Sequence, residues 1–144
     1  MKNFKISIVD DNEFCLHLYK QMLESVQVTN ITTFSTSNGF LNSLTTQPDI
    51  VFLDYQIDNL TGLEILKKIK RFNPEIFVIL ISGQEAISVA VTALKFGAFD
   101  YLIKDQFGAA ELELLLKKIE KLKKLIKQKE SKSILHKIKS SITK

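Results

Sequence analysis

Ile50-Val51-Phe52-Leu53-Asp54 is four apolar residues followed at once by a carboxylate. Such a run, entered just after Pro48, has neither the length of a helix nor the polar alternation of a strand with one wet face. It predicts a strand buried on both sides. The same pattern recurs outward in both directions. Phe4–Val9 runs into Asp10-Asp11, Ile76–Ile81 into Ser82-Gly83, and Phe99–Ile103 into Lys104. A further run, Val28–Phe34, is mixed with Thr and Asn and reads as an edge strand. Between the runs lie helical spacings: Phe14-x3-Leu18-x3-Met22-x3-Val26, Leu63-x2-Leu66-x2-Ile69, and segments over 37–46, 85–96 and from 107 onward. Strands alternating with helices predict an α/β chain, a doubly wound parallel sheet covered on both faces. Pro48, Asn73-Pro74 and a helix-ending Gly97 punctuate it.

Composition bounds the function. A chain of 144 residues is one domain with room for a real core. A single cysteine, Cys15, can form neither an internal disulfide nor a zinc cage, which fits a reducing cytoplasmic setting. The longest apolar run has six residues, far short of a membrane span. Five glycines without one Gly-x-Gly exclude the usual phosphate-cradling loops. His17 and His136 have no partner at metal-ligand spacing, and Cys15 reads as packed rather than reactive. The net charge of +4 is uneven. Residues 1–116 hold nine Lys or Arg against fourteen Asp or Glu, a balance of −5, whereas residues 117–144 hold eleven Lys against two Glu, a balance of +9. An acidic body carries a basic appendix.

The residues that end the runs carry the chemistry. Parallel strands of a doubly wound sheet finish on one edge, and ligands bind outside it. Asp10, Asp11, Asp54, Ser82 and Lys104 therefore converge. Three neighbouring carboxylates repel, and a divalent cation removes the repulsion; hard oxygen ligands with an incomplete protein shell suit Mg²⁺. Asp54 can then act as a nucleophile toward phosphorus, with lysine, hydroxyl and metal offsetting charge on the transferred group. Taken singly, each residue has a plainer role: Asp10-Asp11 as a helix N-cap, Asp54 and Ser82 as turn residues, Lys104 as a solvated cation, Tyr101 as packing.

Ile8-Val9-Asp10-Asp11-Asn12, Val51-Phe52-Leu53-Asp54, Thr61-Gly62-Leu63-Glu64, Leu80-Ile81-Ser82-Gly83 and Ala93-x3-Gly97-Ala98-x-Asp100-Tyr101-Leu102-Ile103-Lys104 follow in order. Over about residues 4–120 the chain resembles the receiver domain of two-component response regulators, of the stand-alone, chemotaxis-regulator-like kind. The resemblance implies a flavodoxin-like five-stranded sheet of order 2-1-3-4-5 with five helices, the last extended. It implies that Asp54 accepts a phosphoryl group from a histidine kinase or phosphotransfer protein, a regulatory rather than enzymatic role. Asp10, Asp11, Asp54 and the backbone carbonyl of Gln56 would hold Mg²⁺. Ser82 and Lys104 would contact the phosphoryl group, with Ser82 and Tyr101 as switch residues. Gln56 and Gln84 would flank the hydrolytic water and, lacking a basic group, give slow to moderate self-dephosphorylation. The output would appear on the face of the fourth helix, fifth strand and fifth helix and engage a downstream protein.

Three positions depart from the family pattern. Asp105 replaces the usual proline after Lys104, so a trans bond is expected; Asp58 replaces a common proline and adds negative charge near the site; Ser82 replaces a commoner threonine. The 28 residues after Leu116 are too few for a helix-turn-helix domain besides the last helix. The expected division is a receiver over 1–125 and a basic extension, helical or disordered, over 126–144. Leu112, Leu115, Ile119, Leu122 and Ile126 alternate spacings of three and four, which predicts a helix to about residue 128 and a homodimer seam. The spacing resumes at Leu135, Ile138 and Ile142. Two other functions stay open on sequence alone: nucleic-acid or anionic-surface binding through the basic tail, and a partner-binding module that needs no phosphorylation. The acidic body argues against nucleic acid on the body, and the intact acidic set against the second.

Overall fold

The computed structural model describes residues 3–83 and 86–142. Five parallel strands form the sheet: β1 (Lys5–Val9), β2 (Asn30–Phe34), β3 (Ile50–Asp54), β4 (Phe77–Ser82) and β5 (Asp100–Ile103). Their spatial order is β2-β1-β3-β4-β5, the expected doubly wound order. Five helices connect and cover them: α1 (Glu13–Ser25), α2 (Ser37–Asn42), α3 (Gly62–Phe72), α4 (Ile87–Lys95) and α5 (Ala109–Ile142).

The alternation of side chains along each strand splits the core in two. Ile6, Ile8, Ile50, Phe52, Ile79 and Ile81 point toward α1 and α5, where they meet Leu16, Leu23, Leu112, Leu116 and Ile119. Val9, Val51, Leu53, Val78 and Leu80 point the other way, toward Phe40 of α2, Ile65, Leu66 and Ile69 of α3 and Ala93 of α4. Every residue of β3 is buried, as the opening run requires. β2 is largely exposed and lies at the edge.

Three details differ from the sequence reading. The buried face of α1 is Leu16, Tyr19 and Leu23, one ridge over from the Phe14-Leu18-Met22 line, and Phe14 is 73% exposed. Periodicity gives the width of an apolar stripe, whereas the sheet decides which ridge centres on the core. A two-residue ribbon, Gln56–Ile57 paired antiparallel with Leu60–Thr61, follows β3; a segment so short leaves no period to read.

The third difference is α5, which continues to Ile142 rather than ending near 128. From Ala109 to Ile142 there is no Gly or Pro to stop it. Glu113–Lys117 at 3.0 Å and Glu120–Lys124 at 4.0 Å add i,i+4 pairs in the favourable order. Its 34 residues span about 50 Å at ~1.5 Å rise each. Burial stops at Ile119, while Leu122, Leu125, Ile126, Ile134, Leu135, Ile138 and Ile142 are exposed. The seam does not continue on one face. Twelve residues separate Ile126 from Ile138, and at about 100° per residue they lie roughly a third of a turn apart. Leu135, Ile138 and Ile142 therefore look away from the Leu122 and Ile126 side.

Candidate phosphoacceptor site

The carboxyl edge of the sheet assembles the site. Asp10 follows β1 directly, and its N–H extends the ladder to the Phe34 carbonyl at 3.1 Å. The helix that follows is capped by Asn12, whose side chain accepts from the N–H groups of Phe14 at 2.9 Å and Cys15 at 3.2 Å. The N-cap role considered for Asp10-Asp11 thus belongs to Asn12, one position later, and the two aspartates are left for the site. The Asn12 N–H donates to Asp10 Oδ1 at 2.9 Å. Asp10 Oδ2 is buried without a hydrogen-bond partner.

Asp54 is the last residue of β3, and only 6% of it is exposed. Lys104, just beyond β5, places its Nζ 3.2 Å from Asp54 Oδ1 and 3.6 Å from Asp10 Oδ2. Its backbone N–H bonds the Ser82 carbonyl at 2.8 Å, which fixes the lysine although Asp105 follows it. Among the described residues no peptide bond is cis, so the trans expectation at Lys104-Asp105 holds. Asp10, Asp11 and Asp54 each bring a carboxylate oxygen within 4.8 Å of the others. Asp10 and Asp54 are buried, whereas Asp11 is exposed.

Electrostatics follows from this crowding. Burial first, then the neighbouring charge of Asp10, pushes Asp54 up to about 6 despite the opposing pull of Lys104. Burial also raises Asp10, partly offset by the Asn12 N–H and Lys104. For Lys104 burial acts downward, but the charges of Asp54 and Asp10 outweigh it and hold the ammonium above its ordinary range. Cys15 is raised by burial and then by the charge of Asp10, which disfavours its thiolate.

Above the cluster opens a cavity of about 460 Å³ lined by Asp11, Asn12, Asp54, Tyr55, Gln56, Asp58, Ser82, Gly83 and Lys104. Ser82 is buried at the end of β4. Gln56 is exposed on the ribbon. Tyr101 lies half-buried in β5, against the α3–α4 side of the core and outside that lining. Gln84 lies outside the described residues. Gly62 is required where it stands, since a Cβ there would come within 2.7 Å of the Asp54 carbonyl oxygen. The sequence reading missed Asn12 as the cap, although an Asn just before a helical period is a known signal.

A doubly wound parallel sheet with this acidic cluster at its carboxyl edge is the arrangement of a phosphoacceptor signalling domain. The family described as response regulator receiver domain matches residues 6–120, and the chain belongs to it; its class is the phosphorylation-controlled switch. Among its relatives, the DNA-binding transcriptional regulator NtrC of Klebsiella pneumoniae is 36% identical over 98 residues, 67% of this chain and 21% of that protein. The chain therefore spans about a fifth of that relative's length. A response regulator receiver domain protein from Clostridium thermocellum superposes with a TM-score of 0.78 at 32% identity, covering 85% of this chain and 98% of that one. The beryllofluoride-activated receiver domain of DrrB superposes with a TM-score of 0.73 at 29% identity, covering 82% and 97%. Among the described residues no helix is long and apolar enough to cross a membrane.

Proposed function

We propose that Asp54 is the phosphoacceptor of this chain, with Asp10, Asp11 and the Gln56 carbonyl completing a Mg²⁺ site beside it. The observation that carries this reading is the buried Oδ2 of Asp10, which accepts no hydrogen bond and has only the Lys104 ammonium, 3.6 Å away, within a cluster of three carboxylates. A buried carboxylate oxygen without a donor is costly, and a hard divalent cation is the partner such a donor set suits. When bound, Mg²⁺ neutralises the carboxylates and the oxygens of the incoming phosphoryl group. The chain's own residues do the rest. An Asp54 oxygen attacks the phosphorus of a phosphohistidine on a histidine kinase or phosphotransfer protein, the N–P bond breaks, and the imidazole departs, leaving an acyl phosphate. The Lys104 ammonium, already 3.2 Å from Asp54, pairs with the new phosphoryl oxygens. Ser82 supplies a hydroxyl, and Tyr101 follows as the switch residue, carrying the change to the α4–β5–α5 face and a downstream protein. Gln56 and Gln84 orient water without activating it, so the acyl phosphate decays slowly to moderately fast. This chemistry belongs in the cytoplasm with the kinase.

The test is labelling with beryllofluoride or a small phosphodonor. Labelling should need Mg²⁺, vanish with EDTA, and be lost in Asp54→Asn. Full labelling of Asp54→Asn, or labelling indifferent to EDTA, overturns the assignment. Replacing Gln56 and Gln84 by Ala should change the decay severalfold; an unchanged decay removes both from the mechanism.

The receiver unit of this reading is 1–125, and 126–144 is a basic extension. Leu122 and Ile126 continue the rhythm of buried Leu112, Leu115 and Ile119, and a second copy of the chain covers them as a short homodimer seam.

A further inference from the structure

Asp58 stands at the tip of the ribbon that follows the acceptor, in left-handed backbone with φ of 53°. It lines the same cavity as Asp54 but is not a member of the acidic cluster. Its Oδ2 instead accepts two hydrogen bonds from Ser37, from the N–H at 2.7 Å and from Oγ at 2.9 Å. Ser37 is the first residue of α2, is itself buried, and lies 21 residues away in sequence. A carboxylate of the cavity lining is therefore held by a serine on another element.

The consequence lies in what the ribbon carries. Its root is fixed where the Tyr55 N–H bonds the Ile81 carbonyl at 2.9 Å. Its middle is fixed by Ile57, which is fully buried. Gln56 pairs with Thr61 across the ribbon and Ile57 with Leu60, so the tip at Asp58 and Asn59 closes it. Left-handed backbone costs energy for any residue with a Cβ, and Asp and Asn bear it best. The two Ser37 bonds offset that cost and tie the tip to α2.

We infer that Asp58 is a positioning residue: bonded to Ser37, it holds the ribbon so that the Gln56 carbonyl faces the metal position, and it couples α2 to occupancy of the site. The inference rests on the proposed function, because the metal is the one invoked there. Groups that orient a metal ligand without touching the metal typically change affinity about ten- to a hundredfold when removed.

The experiment is Mg²⁺ titration of the full chain by calorimetry, for the wild type, Asp58→Ala, Asp58→Asn and Ser37→Ala, with amide exchange at Ser37 followed by NMR. Asp58→Ala should weaken Mg²⁺ about tenfold. Asp58→Asn, which keeps an acceptor oxygen and tolerates the backbone but loses the charge, should stay within about threefold of wild type, a difference of ~0.65 kcal/mol. Ser37→Ala, which loses one of the two bonds, should fall between, and serves as the variant of record if Asp58→Ala fails to fold. Mg²⁺ should slow exchange of the Ser37 N–H in the wild type. Equal weakening in Asp58→Ala and Asp58→Asn would show that charge alone matters and overturn the inference. Wild-type binding with Asp58→Ala and Ser37→Ala unchanged would overturn it and leave the proposed function standing. A wild type that neither binds Mg²⁺ nor takes beryllofluoride would overturn both.

Discussion

The carboxyl edge of the sheet and the far half of α5 are the two places where charge is concentrated, and they obey opposite rules. At the edge three carboxylates and an ammonium crowd together, two of the carboxylates buried. There desolvation is the largest influence, and it raises Asp54 to about 6. Along α5 the lysines from Lys121 to Lys139, apart from the half-buried Lys123, stand in solvent, where repulsion is weak and falls off within about 8 Å at physiological salt. The count of charges is larger on the helix, but the energetic consequence is larger at the edge. Burial, not number, sets how much a charge matters.

The sharpest test of that contrast is Lys104→Ala. It leaves Asp10 and Asp54 without their cation, and removing one partner of a largely buried group of charges costs about 3 kcal/mol. Denaturant unfolding at pH 8 without divalent cations should show that loss, and saturating Mg²⁺ should recover much of it. An unchanged midpoint would mean that the edge behaves like the helix.

Asp54→Asn should act in the opposite sense. The folded-state pKa is raised from 3.8 to about 6, so the native state holds this proton more tightly than the unfolded chain does. The associated stability is present below pH about 4, is lost as pH rises, and is gone above pH about 6. Replacing the carboxylate should therefore stabilise the metal-free protein by roughly 3 kcal/mol at pH 8 and by almost nothing at pH 4. A stability gap between variant and wild type that is flat from pH 4 to 8 would contradict the burial argument.

On the helix side the effects are smaller. Leu122→Glu should weaken self-association about fivefold, or ~1 kcal/mol, in light scattering or sedimentation, without moving the unfolding midpoint of the body. Because the flanking lysines repel, association of the wild type should strengthen from low to high salt. A monomer at high concentration and high salt, indifferent to Leu122→Glu, would remove the seam. The smallest effect belongs to Lys123, whose Nζ lies 2.7 Å from Asp49 Oδ1 on a partly exposed pair. Lys123→Ala should cost about 0.5 kcal/mol and less in high salt.

How much of this is legible in the sequence varies with the range of the interaction. Asp54 was legible because the strand that delivers it, Ile50 to Leu53, is apolar on both faces and announces its own end. Lys104 was legible for the same reason, although Asp105 obscured how it would be held; the answer is a backbone bond to Ser82 on the neighbouring strand. The Asp58–Ser37 bond could not be read, since nothing local links residues 21 positions apart. The apolar rhythm of α5 lapses at Lys129 and Ser133, yet the helix runs on to Ile142, since a helix ends where a breaker stops it, not where its stripe lapses.

Local sequence dictates the alternation of strands and helices, the edge position of β2, and the set of acidic, hydroxyl and basic residues delivered to one edge, because each of these is written in a local period and in what terminates it. Packing alone settles which ridge of α1 is buried and which oxygen of Asp10 is left without a hydrogen-bond donor. Those outcomes depend on the direction in which each side chain leaves its element and on what stands opposite. Both are fixed by packing between segments far apart in the chain.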